Sequence, residues 1–291
     1  MSASPASDRG LLRRRDVPPL LALAVLLIAA GAVVQLAGFN TPWMLRAHAE
    51  ARGAFASVFW SSATIVGLGW SAVILVLAAD RGDGRVTALL APAFILTGLL
   101  THVPKVLLAS PRPAGTAILP HLHVIGDAFR GSVSMPSGHS VAAGAMAALL
   151  CVALPRSRAL VGGALLLLAA ALIAWSRVMV GAHWPADVLV GSGVGLLSVG
   201  LVIAAALGPT QRVHHRFVAR IQSRAGQRWV GVLEIVAAIG LLREHTGYPD
   251  GRAMVILLAI VAFASAAWRL HAAGGLRKAA RPDEPAPVEP T

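Results

Sequence analysis

The chain has 291 residues, 56% of them hydrophobic and only 13% charged, with a formal net charge of +12. A soluble domain carries about 25% charged residues, so the composition excludes a soluble globular protein. The positive charge does not mark a nucleic-acid surface: only Lys105 and Lys278 are lysines, and the arginines fall between apolar runs, where they report membrane topology.

Taken in order, residues 1–16 form a basic N-terminus ending in LLRRRD. Six apolar runs follow, at about 18–38, 55–79, 87–107, 140–155, 159–176 and 186–208. About 20 apolar residues cross a bilayer. The first run is too long for a signal peptide and no small-residue cleavage site follows, so it reads as a retained anchor. The fourth is short but can extend back through Gly138 and His139. Cys151, the single cysteine, sits inside it as a small buried hydrophobe. Gly191 and Gly195, in the GSGVG of the sixth run, form a small-xxx-small pair suited to close helix packing.

Beyond this core of residues 17–208, residues 209–228 carry Arg212, Arg216, Arg220, Arg224 and Arg228 at every fourth position. Val213, Phe217 and Ile221 lie between them, giving a basic amphipathic segment that can rest on an anionic leaflet. Two weaker apolar runs, Trp229–Leu242 and Ala253–Trp268, lie within 229–271. The first contains Glu234, so a short span, a re-entrant arm and an interfacial helix all fit it. Residues 272–291 end in RPDEPAPVEPT, a Pro- and Glu-rich composition expected to be disordered. The fold class is all-α: a polytopic membrane bundle of six core helices with up to two further C-terminal membrane segments.

With the N-terminus inside, thirteen basic residues fall on the inner side of the core and six on the outer side. The expected location is a bacterial cytoplasmic (inner) membrane; the dominance of Arg over Lys, with abundant Ala, Gly and Val, suits a GC-rich bacterial genome. The end of span 3, the start of span 4 and the turn between spans 5 and 6 then share the outer face. They read KVLLASPRP, PSGH and SRVMVGAHWPAD, and bring Lys105, Arg112, Ser137, Gly138, His139, Arg177, His183 and Asp187 to one membrane surface.

These residue types suit phosphoryl transfer. Arg and Lys neutralise phosphoryl oxygens, Arg through a planar fork of donors. Ser137 stands where a helix begins, with unpaired backbone N–H groups that bind anions. Gly138 allows close backbone approach. Histidine serves as a nucleophile or general acid near neutral pH. If Pro185 starts a helix, Asp187 can reach His183 and fix its tautomer.

The three stretches match K-x6-RP, PSGH and SR-x5-H-x3-D at every fixed position and spacing. The chain thereby resembles the type 2 phosphatidic acid phosphatase superfamily, the lipid phosphate phosphatases. The motifs cover residues 105–187, and the six-span pattern extends the resemblance to about 17–208. The resemblance implies that His183 attacks phosphorus to form a phosphohistidine, that Asp187 orients it, and that His139 protonates the leaving group. It implies that Lys105, Arg112, Ser137, Gly138 and Arg177 hold the phosphoryl oxygens. It implies no cofactor and no metal, and the sequence has no HExxH and no carboxylate cluster at metal-ligand spacing. The expected partners are a lipid phosphate or diphosphate and the surrounding membrane lipids, with undecaprenyl diphosphate first among substrates; nucleic acid is not a partner.

Vanadium haloperoxidases share a similar cradle but are soluble, which six apolar spans oppose. A silent lipid-binding or transport relative is expected to lose His183 or His139, and both are present. Of the remaining polar residues, Ser176 reads as structural, His102 as packing or interfacial, and His121 and His123 as solvated loop. Arg130 is compatible with one more phosphate contact.

Overall fold

The computed structural model describes residues 14–50 and 54–275. The expectations for residues 1–13 and for the tail from 276 onward lie outside the described residues. Among those described, eleven α-helices and no strand occur. They are α1 (Val17–Leu36), α2 (Asn40–Glu50), α3 (Ala54–Val66), α4 (Gly69–Ala79), α5 (Arg85–Leu108), α6 (Gly138–Ala153), α7 (Ala159–Met179), α8 (Pro185–Ala206), α9 (Gln211–Gln222), α10 (Arg224–Arg243) and α11 (Arg252–Gly275).

Six of them, α1, α5, α7, α8, α10 and α11, are long and apolar enough to cross a membrane. The protein is a multi-pass membrane protein. The second apolar run, read from sequence as one span, forms two helices, α3 and α4, that meet at 67°. Gly67 and Leu68 interrupt the ladder, with Leu68 extended (φ −67°, ψ 149°). The Ile65 carbonyl accepts from the Leu68 amide at 3.1 Å and from the Ser71 hydroxyl at 2.7 Å, so it stays satisfied at the break in apolar surroundings. Hydropathy averages over such a bend and cannot register it. α6 is an apolar helix of 16 residues.

α8 is the central post, contacted by α1, α5, α6 and α7. Its glycines let neighbouring backbones approach. A Cβ on Gly191 would lie 2.6 Å from the Ser137 carbonyl oxygen, and one on Gly195 would strike the Val141 carbonyl. From the other side, Gly144 of α6 meets the Ser192 carbonyl in the same way. The α6–α8 crossing is therefore a backbone-to-backbone contact, the close packing that small residues permit between membrane helices.

The two C-terminal runs are full-length helices. The 14-residue apolar stretch around Glu234 becomes the 20-residue α10 because the helix begins ahead of it, at Arg224. A polar clamp holds α10 and α11 to α4. Arg269 Nε donates to Glu234 Oε1 at 3.2 Å and Arg269 Nη1 to Gln227 Oε1 at 2.7 Å. Arg269 Nη2 donates to the Leu77 carbonyl, and Ser265 Oγ to Glu234 Oε1 at 2.6 Å. Both charged residues are buried, 1% and 0% exposed, which membrane interiors tolerate only in such pairs.

At Gly98, by contrast, an added Cβ would meet nothing within 4 Å. Gly195→Ala is expected to lower thermal stability in detergent by about 1–3 kcal/mol, and Gly98→Ala to leave it unchanged. Equal unfolding temperatures for the two variants would contradict the tight crossing.

Candidate active site

The candidate site is assembled from three helix ends. α5 ends at Ala109 in the left-handed region (φ 42°), after which the chain turns toward Arg112. The two arms of the following loop pair: Arg112 N donates to Gly131 O at 3.0 Å and Ser134 N to Ser110 O at 3.0 Å. α6 opens at Ser137, whose extended backbone and hydroxyl cap the helix, the hydroxyl accepting from Ser140 N at 3.4 Å. The Met135–Pro136 peptide just ahead is cis. After α7, Gly181 (φ +80°) lets the chain reverse, and the His183 amide donates to the Arg177 carbonyl at 3.1 Å. The short SR-x5-H spacing thus puts Arg177 and His183 at one place.

His183 is held from both sides. Its Nδ1 lies 3.3 Å from Asp187 Oδ2, one turn into α8, which starts at Pro185. The same carboxylate oxygen accepts from Ser134 Oγ at 2.5 Å and from the Trp184 amide at 3.0 Å. Arg112 Nη1 stands 3.3 Å from His183 Nε2. Arginine can only donate, so Nε2 is the acceptor and Nδ1 carries the proton toward Asp187. Burial, then the charges of Arg177, Arg112 and Lys105, hold the His183 imidazole well below its ordinary value. At neutral pH the ring is neutral, with the Nε2 lone pair facing the arginine side.

The cations are undercompensated. Arg177 is 2% exposed, and among the described residues no carboxylate lies within salt-bridge distance of it. Its Nη1 donates to Thr64 Oγ1 at 2.6 Å and Tyr248 OH at 2.8 Å, while its buried Nε has no partner. Arg112 also donates to the Ala182 carbonyl at 3.2 Å and lies 5.5 Å over the Phe129 ring. Lys105 Nζ reaches the Val133 carbonyl at 3.3 Å. His139 Nε2 is buried and unpartnered. A Cβ on Gly138 would meet no atom within 4 Å, so protein packing does not require that glycine. Gly138 and His139 border a cavity of about 220 Å³ between α4, α5 and α6.

All eight residues singled out from sequence therefore meet at one end of the bundle. The Ser137 amide, donating to the Asp187 carbonyl at 3.1 Å, stitches the second motif to the third. Ser176 donates to the Ile173 carbonyl at 2.6 Å and is spent on its own helix. His102 lines the cavity beside His139. His123 donates its amide to His48 Nδ1 at 3.0 Å, and His48 Nε2 is 2.8 Å from the Val178 carbonyl. Sequence reasoning missed Ser134, Thr64, Phe129 and Tyr248. Only Tyr248 carried a signal, as the single tyrosine of the chain. Among the described residues, no three His, Cys, Asp or Glu side chains gather as a metal-binding set.

Buried cations and an unpartnered histidine thus share one end of the membrane bundle with a second histidine oriented by a carboxylate. The family model of the PAP2 superfamily matches residues 86–208. Over those residues the chain is similar to that superfamily. The crystal structure of Aquifex aeolicus LpxE is similar at 27% identity, covering 57% of this chain and 94% of that one, with a TM-score of 0.47. No curated protein matches the chain.

Two outcomes are expected from this geometry. Asp187→Asn removes the acceptor that fixes the Nδ1–H tautomer, and phosphate release by the purified protein should fall by about 10²–10⁴-fold. In ¹⁵N-histidine NMR differenced against His183→Ala, the His183 signal should stay neutral at pH 6, below the ordinary histidine value of about 6.5. Proton uptake by His183 near 6.5 would contradict its burial among cations.

Proposed function

We propose that this protein removes phosphate from a lipid phosphate or diphosphate at the extracytoplasmic membrane face through a phosphohistidine intermediate. The observation that carries the reading is the buried Arg177, which has a free Nε and no carboxylate in reach among the described residues. A desolvated cation left this way calls for an anionic ligand. Arg112, Lys105, the Ser137 helix start and Gly138 complete a cradle for one tetrahedral anion.

In the proposed reaction the His183 Nε2 lone pair attacks phosphorus. Asp187 and Ser134 stabilise the charge that develops on the ring. The bond from phosphorus to the leaving oxygen breaks, and His139 gives that oxygen its proton. Water then attacks the phosphohistidine with His139 as base, the N–P bond breaks, and inorganic phosphate leaves. The cations offset the charge on the phosphoryl oxygens throughout.

The cavity beside His139 is lined largely by apolar side chains of α4, α5 and α6, and suits the first carbons of a lipid tail. Orientation follows from the arginines. Arg14 Nη2 donates to the Leu207 carbonyl at 3.1 Å, which sets the start of α1 beside the end of α8, at the opposite end of α8 from Asp187. That end of the bundle carries Arg14, Arg15, Arg81, Arg85, Arg158 and the arginines of α9, an excess of positive charge that supports a cytoplasmic placement for it. An outward-facing site in a bacterial inner membrane puts undecaprenyl diphosphate at the head of the substrates, ahead of phosphatidylglycerophosphate, phosphatidate and lipid A.

The test is phosphate release from these four lipids by detergent-purified protein with a chelator present. Chelator-resistant release that disappears in His183→Ala, with an acid-labile phosphoprotein trapped from the wild type, is the expected result. Release that persists in His183→Ala would overturn the mechanism. The rank order of the four lipids tests the substrate assignment separately.

A further inference from the structure

We propose that Tyr248, in the turn between α10 and α11, is a positioning residue for the arginines of the phosphoryl cradle, so that the C-terminal helix pair is a working part of the active site. The proposal rests on the function proposed above. It concerns a residue outside 86–208, the stretch matched by the superfamily model.

Tyr248 is the only tyrosine among 291 residues and is 2% exposed. Its hydroxyl accepts from Arg177 Nη1 at 2.8 Å, and its ring lies 5.3 Å from the Arg177 guanidinium carbon. The other side of the cradle is linked to the same ring. Phe129 lies 6.2 Å from Tyr248, centroid to centroid, and Arg112 lies over Phe129. The order is Arg177, Tyr248, Phe129, Arg112: two aromatic rings set between two cations. Rings hold guanidinium groups through the quadrupole of their faces without neutralising them. A carboxylate in the same place would compete with phosphate, whereas a phenol and a phenyl ring leave the full positive charge for the ligand.

The turn is built to deliver this side chain. Gly247 takes φ +76°, and a Cβ there would come within 3.0 Å of both Asp127 Oδ2 and Phe129 Cζ. The Asp127 amide donates to the Gly247 carbonyl at 2.9 Å, and His245 Nε2 pairs with Asp127 Oδ2 at 2.9 Å. On the far side, Gly251 packs against Ser61 of α3, one turn from Thr64, the second acceptor of Arg177 Nη1. With Nη1 held by Thr64 and Tyr248, the buried Nε is left without a partner. A residue needed only to fill space would not require the hydroxyl, so Tyr248→Phe separates the two roles.

The experiment uses full-length protein in detergent and three readouts: phosphate release kinetics, inhibition by orthovanadate as a phosphate-shaped anion, and thermal unfolding. Tyr248→Phe is expected to keep the wild-type unfolding temperature while the orthovanadate inhibition constant and KM both rise about 10-fold, the loss of one hydrogen bond from a charged donor. Phe129→Leu is expected to weaken orthovanadate in the same direction through Arg112. Unchanged orthovanadate inhibition in Tyr248→Phe would overturn the proposal, as would a fall in unfolding temperature with no change in that constant. If wild-type protein neither releases phosphate nor responds to orthovanadate, the functional reading itself fails; if the wild type does both and Tyr248→Phe matches it, only the role of Tyr248 fails.

Discussion

The candidate site depends on the crossing of α6 and α8. Where Gly144, Gly191 and Gly195 remove side chains, two helix backbones touch, and the Ser137 amide can donate to the Asp187 carbonyl. That bond fixes the start of one helix against the first turn of the other. His139 belongs to the first and Asp187 to the second, with His183 one turn before it. The mutual geometry of His139, Asp187 and His183 is therefore set by backbone contact, which shifts far less than a contact between long side chains.

Around this crossing the charges are arranged so that protein groups orient them without cancelling them. Asp187 is the one carboxylate in the constellation, and a hydroxyl, an amide and an imidazole all draw on its Oδ2. Its ion-pair partner is His183, not Arg177. The arginines lean on carbonyls, hydroxyls and aromatic faces instead. The opposite policy holds deeper in the bundle, where Arg269 is matched to Glu234 and carries only structure. One protein thus shows both fates of a buried arginine, and the difference lies in whether its counter-charge is built in or left for a ligand.

How much of this was legible in the sequence follows the same division. Lys105, Arg112, Ser137, Gly138, His139, Arg177, His183 and Asp187 could be read because fixed spacings tie each to a helix end, and helix ends were visible as the limits of apolar runs. The break at Gly67 and Leu68 was hidden, since a hydropathy window sees composition and not direction. α10 was ambiguous because Glu234 lowers the apolar score of its run, and its partner Arg269 lies 35 residues further on, beyond any local pattern. Ser134 and Tyr248 enter the site through tertiary contacts alone: one from a loop with no fixed spacing, the other from a turn 65 residues after His183.

The length of α6 has a consequence for where the chemistry happens. Sixteen residues at about 1.5 Å each make a rod of about 24 Å, against a hydrocarbon layer of about 30 Å. If its far end lies level with its neighbours, the end bearing Ser137 and His139 sits several ångströms beneath the lipid carbonyls. A headgroup then has to sink to meet the cradle while its tail stays among other tails. On the function proposed above, extraction from the bilayer is unnecessary, because the short helix brings the water boundary down to the lipid.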